Sequence, residues 1–105
     1  MNDSIKRIID IADKMLIGRL SLVEGAREMA GFEDYFAQLN SVEYEDYEVF
    51  IDIKFDTDSL PITEAERKNW SLDALKLKDI EIKKIEKKYR TTVEKTCKVL
   101  IKKLS

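Results

Sequence analysis

Between positions 42 and 58 the chain carries seven carboxylates, Glu43, Glu45, Asp46, Glu48, Asp52, Asp56 and Asp58, against one cation, Lys54. Carboxylates this crowded can pass protons in pairs, hold a metal, or meet a basic surface. Proton transfer needs two carboxyl groups in one cleft with pKa values pushed apart, and no spacing here singles out such a pair. Asp56 and Asp58 stand one residue apart, but the bend glycine and the twelfth-position glutamate of a calcium loop are missing. That leaves a basic surface. Tyr44, Tyr47, Val49, Phe50, Ile51, Ile53 and Phe55 alternate with the acids, so the segment can anchor one side in a core and turn a negative, tyrosine-bearing face to a protein partner. The expected partner-binding residues are Glu43, Tyr44, Glu45, Asp46, Tyr47, Glu48, Asp52, Asp56 and Asp58.

Other routes to catalysis are poorly supplied. There is no histidine, the side chain best suited to proton transfer near neutral pH. The one cysteine, Cys97, can form no internal disulfide and falls on the apolar register of a helix, where it reads as core. Without Cys or His clusters there is no zinc-ligand spacing, and no glycine-rich loop is present to cradle phosphate. The expectation is a non-enzymatic protein with no cofactor, no metal and no small-molecule substrate, in the reducing cytoplasm. Charges interrupt the apolar residues of positions 1–14 every two or three places, which fits neither a signal-peptide core nor a membrane span.

Formal net charge is −2, yet positions 76–105 hold eleven Lys and Arg against four Asp and Glu. A segregation this strong either steers a partner or joins two parts of one fold. The basic segment has interspersed Glu81, Glu86 and Glu94 and no recognition motif, and the sequence pI is about 5.3. Nucleic-acid binding is therefore the weaker reading beside a solvated helix face.

The elements that position these residues read as helices. Ile5, Ile8, Ile9, Ala12, Met15 and Leu16 recur at helical spacing, with Ser4 or Asp3 as the expected cap and Gly18 as the stop. Ser21 and Glu24 have the form of a capping box, as do Thr63 and Glu66. Gly25 lies inside the second helix and is expected to permit close packing on the first, and Gly31 to end it. Phe32, Tyr35, Phe36 and Leu39 form a short core helix. Positions 47–55 fit two patterns: Tyr47, Val49, Ile51, Ile53 and Phe55 alternate as in a strand, while Tyr47, Phe50, Ile51 and Phe55 share a helix face. No second stretch alternates cleanly to supply a ladder partner, which favours helix. If it is a strand, its free edge could receive an extended partner. From Ser71 onward Leu72, Leu75, Ile82, Ile85, Tyr89, Val93, Cys97, Leu100 and Leu104 continue without Gly or Pro, predicting a final helix of roughly 50 Å at 1.5 Å per residue. The expected fold is all-α, a single domain over 1–105 built as a bundle of about five helices with a long C-terminal helix. A hydrophobic share of 44% can supply its core.

Three runs carry a resemblance: Gly18-Arg19-Leu20-Ser21-Leu22-Val23-Glu24-Gly25-Ala26-Arg27, then Asp56-Thr57-Asp58-Ser59-Leu60-Pro61, then Trp70-Ser71 with Ala74-Leu75 and Lys78-Asp79. They resemble a family of small bacterial all-helical proteins of unassigned function. The chain as a whole is similar to immunity proteins of contact-dependent growth inhibition and other polymorphic toxin systems. That resemblance implies a cytoplasmic monomer that binds and neutralises a cognate toxin domain, commonly a nuclease. The alternatives are a structural or regulatory helical interaction module, whose acidic segment pairs with its own basic helix, and a weak nucleic-acid binder using that basic helix.

Overall fold

Four α-helices among the described residues open on a side chain that accepts one of their free backbone N–H groups. The computed structural model describes residues 2–105, and among them every regular element is helical, with no strand. Helix α1 (Asp3–Leu16) is capped by Asn2, whose side chain accepts from the Ile5 N–H at 2.9 Å. The cap is thus one residue earlier than Asp3 and two earlier than Ser4. At its other end Gly18 takes φ +77°, and the Arg19 N–H reaches the Lys14 carbonyl at 2.9 Å, closing the last turn with a left-handed residue that favours glycine.

Ser21 accepts from the Glu24 N–H at 3.1 Å and opens α2 (Leu22–Ala30). A Cβ on Gly25 would stand 2.4 Å from the Met15 Cγ and Sδ, so this glycine lets α1 and α2 approach as its position suggested. The short α3 (Glu33–Ala37) buries Phe36 and is followed by a 3-10 turn, Tyr44–Asp46. Helix α4 (Glu48–Thr57) places Val49, Phe50, Ile53 and Thr57 inward at intervals of one, three and four residues, which resolves the 47–55 ambiguity in favour of helix. Thr63 and Glu66 make both bonds of their capping box and start α5 (Glu64–Arg67). Ser71 caps α6 (Leu72–Leu104), whose 33 residues set the long axis of a molecule 46 Å by 24 Å by 22 Å. Among the described residues there are six α-helices, which agrees with the expected all-α bundle with a long C-terminal helix.

The core is one cluster in which α2 packs on α4 and α1 while α1 and α4 flank α6. Phe36, Phe50, Ile8, Met29, Ile53 and Leu100 are fully buried within it, each worth about 1.5–3 kcal/mol relative to an exposed side chain. Only the C-terminal half of α6 takes part fully, through Val93, Thr96, Cys97, Leu100 and Leu104. Its N-terminal half projects as an arm on which Leu72, Leu77 and Ile80 are 79%, 67% and 53% exposed. No helix among the described residues is long and apolar enough to cross a membrane.

A polar elbow joins α4 to this arm. The Arg27 guanidinium donates to Glu66 at 2.9 Å, to the Thr57 hydroxyl at 3.3 Å, and to the carbonyls of Thr57 and Leu60. The Thr57 hydroxyl in turn donates to the Ile53 carbonyl at 2.7 Å. Beyond the elbow, Arg67 forks onto Asp79 at 2.7 and 3.0 Å and reaches the Pro61 carbonyl at 3.2 Å. The Lys78 ammonium lies 5.6 Å from the centre of the Trp70 ring. The three runs of the family resemblance therefore contribute the close α1–α2 approach and this joint.

Candidate functional site

The inward positions of α4 dictate what faces out. With Val49, Phe50, Ile53 and Thr57 committed to the core, Glu48, Asp52 and Phe55 fall on the opposite side at one-turn intervals. Phe55 is 81% exposed, the most exposed large apolar side chain among the described residues. Tyr44, 52% exposed, joins this face from the 3-10 turn and rests edge-on against Tyr47, ring centres 5.2 Å apart. A groove of about 130 Å³ beside it is lined by Ala30, Glu33, Ile51, Lys54, Phe55 and Asp58.

The expected residues divide into two groups. Glu43, Tyr44, Glu45, Glu48, Asp52, Asp56 and Asp58 are exposed. Asp46 and Tyr47 are buried and do not belong to the outward face. Tyr47 stacks on Phe36 with ring centres 5.0 Å apart, serving as the seat for Tyr44. Asp46 accepts from the Lys103 ammonium at 2.6 Å and from the Glu43 N–H at 2.9 Å. Its burial raises its pKa, but the Lys103 ammonium and the Glu43 N–H outweigh that and hold it below the usual carboxylate range. Asp56 accepts from the Tyr89 hydroxyl at 2.6 Å, a bond that leads burial in pushing that phenol up to about 12. Asp58 lies 4.0 Å from Lys54.

Glu48, Asp52 and Glu33 have no ion-pair partner among the described residues. They act together on Tyr44, whose hydroxyl is raised first by desolvation and then by the negative field of Glu48, Asp52 and Glu33. Glu33 was not singled out in the sequence, and Phe55 and Ile51 were read there as apolar anchors of the segment rather than as residues that meet a partner. Phe55 faces outward because it lies half a turn from the middle of the Val49, Phe50, Ile53 and Thr57 side that the fold buries.

No protein-family model, curated protein or solved structure matches this chain. What the arrangement can do must follow from its own groups. Phe55 and Ile51 line the groove with Glu33, and Tyr44 lies in the field of Glu33, Glu48 and Asp52; exposed aromatic groups set among carboxylates are what a protein interface uses, where aromatic anchors are surrounded by a polar rim. Among the described residues no group of three Asp, Glu or Cys is placed to hold a metal ion. The Cys97 thiol is pushed up to about 12, first by burial, and so stays protonated and poorly nucleophilic at neutral pH.

Proposed function

We propose that this protein binds another protein through the outward face of α4, and that the partner is a bacterial toxin domain with a basic working surface, which it neutralises by covering. One observation carries this reading: exposed Phe55 and Tyr44 stand among Glu33, Glu48 and Asp52, none of which has a cationic partner among the described residues. A nuclease must present cations to phosphate, and a patch of free carboxylates speeds encounter with such a surface and competes for it. The aromatic pair supplies the desolvated contact that slows release.

The resemblance to immunity proteins points the same way. The paired acids favour a second reading for part of the segment. Asp46 and Asp56 are already engaged by Lys103 and Tyr89 of α6, as a self-contained regulatory module would have them. That leaves Tyr44, Glu48, Asp52 and Phe55 as the residues for a partner.

The test is titration against the toxin-like domain encoded beside this chain, with protection of cells as the second readout. Phe55→Ala is expected to weaken binding by about 2 kcal/mol with folding unchanged, and Asp52→Lys to slow association at low salt. A partner that binds both variants as tightly and as fast as the parent would remove the α4 face from the interface. An encoded neighbour that neither binds nor kills would remove the toxin reading altogether.

A further inference from the structure

Two surfaces of this chain lack a partner, and they are opposite in charge. The first is the α4 face of Glu48, Asp52 and Phe55. The second is the outward side of the α6 arm, where exposed Leu77 and Ile80 lead along the helix to Lys84 and Lys87, which meet no carboxylate among the described residues. Within one copy these surfaces cannot meet. Helix α4 lies against the side of α6 that bears Tyr89 and Lys103, as the 2.6 Å bonds from Tyr89 to Asp56 and from Lys103 to Asp46 fix. Leu77, Ile80, Lys84 and Lys87 occupy the side turned away from Ile82, Val93 and Leu100.

The two surfaces also match in register. Along α4 the order is Glu48, Asp52, Phe55; along α6 read backwards it is Lys87, Lys84, Ile80. Each step is three or four residues, about one helical turn, so antiparallel apposition sets two carboxylates against two ammonium groups and Phe55 against Ile80. A formal net charge of −2 gives two copies little overall repulsion to overcome.

We propose that this protein associates with itself head to tail, the outward side of the α6 arm of one copy docking on the α4 face of the next. The contact joins unlike patches, so each pair retains a free face and a free arm and can add further copies. The monomer expected from the resemblance is then the dilute limit of a concentration-dependent series. A partner that takes the α4 face must displace the neighbouring copy.

The experiment uses the purified full chain alone, so its failure leaves the toxin reading untouched. Sedimentation equilibrium at low salt should give an average mass that rises with concentration above 12.3 kDa and falls back at high salt. The face variant Glu48→Lys/Asp52→Lys and the arm variant Lys84→Glu/Lys87→Glu alter exposed side chains only, and each should remain monomeric with unchanged helicity. Mixed in equal amounts they should associate again as an alternating series, because the native arm of one meets the native face of the other and the reversed face meets the reversed arm. The mixture is expected to associate about tenfold or more above either variant alone, equal to about 1.4 kcal/mol. A parent chain that stays monomeric at low salt up to its solubility limit would overturn the proposal. So would variants that associate as the parent does, or a mixture that gains nothing.

Discussion

The two halves of α6 are one unbroken helix of similar composition, yet they live in different surroundings. From Val93 to Leu104 the apolar side is sealed by α1 and α4, and Lys103 is held by buried Asp46. From Leu72 to Ile80 three large apolar side chains meet solvent, and the main brace is the half-buried Arg67–Asp79 fork. The same residue types therefore maintain the fold in one half and remain available in the other. Neighbours decide the role of a leucine or a lysine here, not its place in a helical repeat.

The largest expected contrast comes from one substitution made in each half. Leu100→Ala removes a fully buried side chain and should destabilise by about 2–5 kcal/mol. Leu77→Ala, on the arm, should stay within about 0.5 kcal/mol. Urea unfolding followed by circular dichroism checks both, and equal losses would abolish the distinction between arm and body. Next in size, Arg27→Ala removes one donor from Glu66 and from the carbonyls of Thr57 and Leu60, leaving Glu66 the Ile62 and Thr63 N–H groups and Thr57 the Leu60 N–H, and should lose about 1–3 kcal/mol. It should do so without affecting the packing of Val93 to Leu104.

The smallest effect is expected at Lys103 and shows in the pH profile. The lowered folded pKa of Asp46 contributes stability that is present above its unfolded value and lost as pH falls through the folded one. Lys103, raised chiefly by its hydrogen bond to Asp46, contributes stability that is present below its unfolded value and lost as pH rises through the folded one. Lys103→Met should therefore remove the alkaline loss and diminish the acid loss, because Asp46 then keeps its desolvation without the cation that holds its folded pKa below the unfolded one. Thermal melts from acid to alkaline pH read this directly, and a profile identical to the parent would show that the pair adds nothing. Glu66 sharpens the comparison from the elbow: its pKa is held at about 2, first by the Thr63 N–H and, against desolvation, also by Arg27 and the Ile62 N–H. Its share is lost only as pH falls through that value.

Much of the fold was legible because helix ends have local causes. Gly18, Ser21, Thr63 with Glu66, and Ser71 all stop or start helices where their chemistry says they should. The orientation of α4 was not local. Tyr47, Phe50, Ile51 and Phe55 make a plausible side, and so do Val49, Phe50, Ile53 and Thr57; what chooses is Arg27 on Thr57, Tyr89 on Asp56 and the fit on α2 and α6, contributed from about thirty residues away. Asp46 was read as one more surface acid for the same reason, since Lys103 lies 57 positions later. The arm was hidden too: the apolar repeat of α6 runs on past the point where the body that covers it ends. The acidic character of the 42–58 segment and the candidacy of Tyr44 needed only composition and spacing, and both residues of its outward charge, Glu48 and Asp52, were named from sequence.

Helix α6 passes from body to arm with neither Gly nor Pro between Leu72 and Leu104. Leu72 is about 30 Å from Val93 at 1.5 Å per residue, so the arm is a stiff handle with no hinge of its own. A molecule that grips its tip applies torque to the seam between α6, α1 and α4, where Val93, Cys97 and Leu100 are buried. Load on the arm is thereby delivered to the core, and the elbow at Arg27 and Arg67 is the strut that shares it.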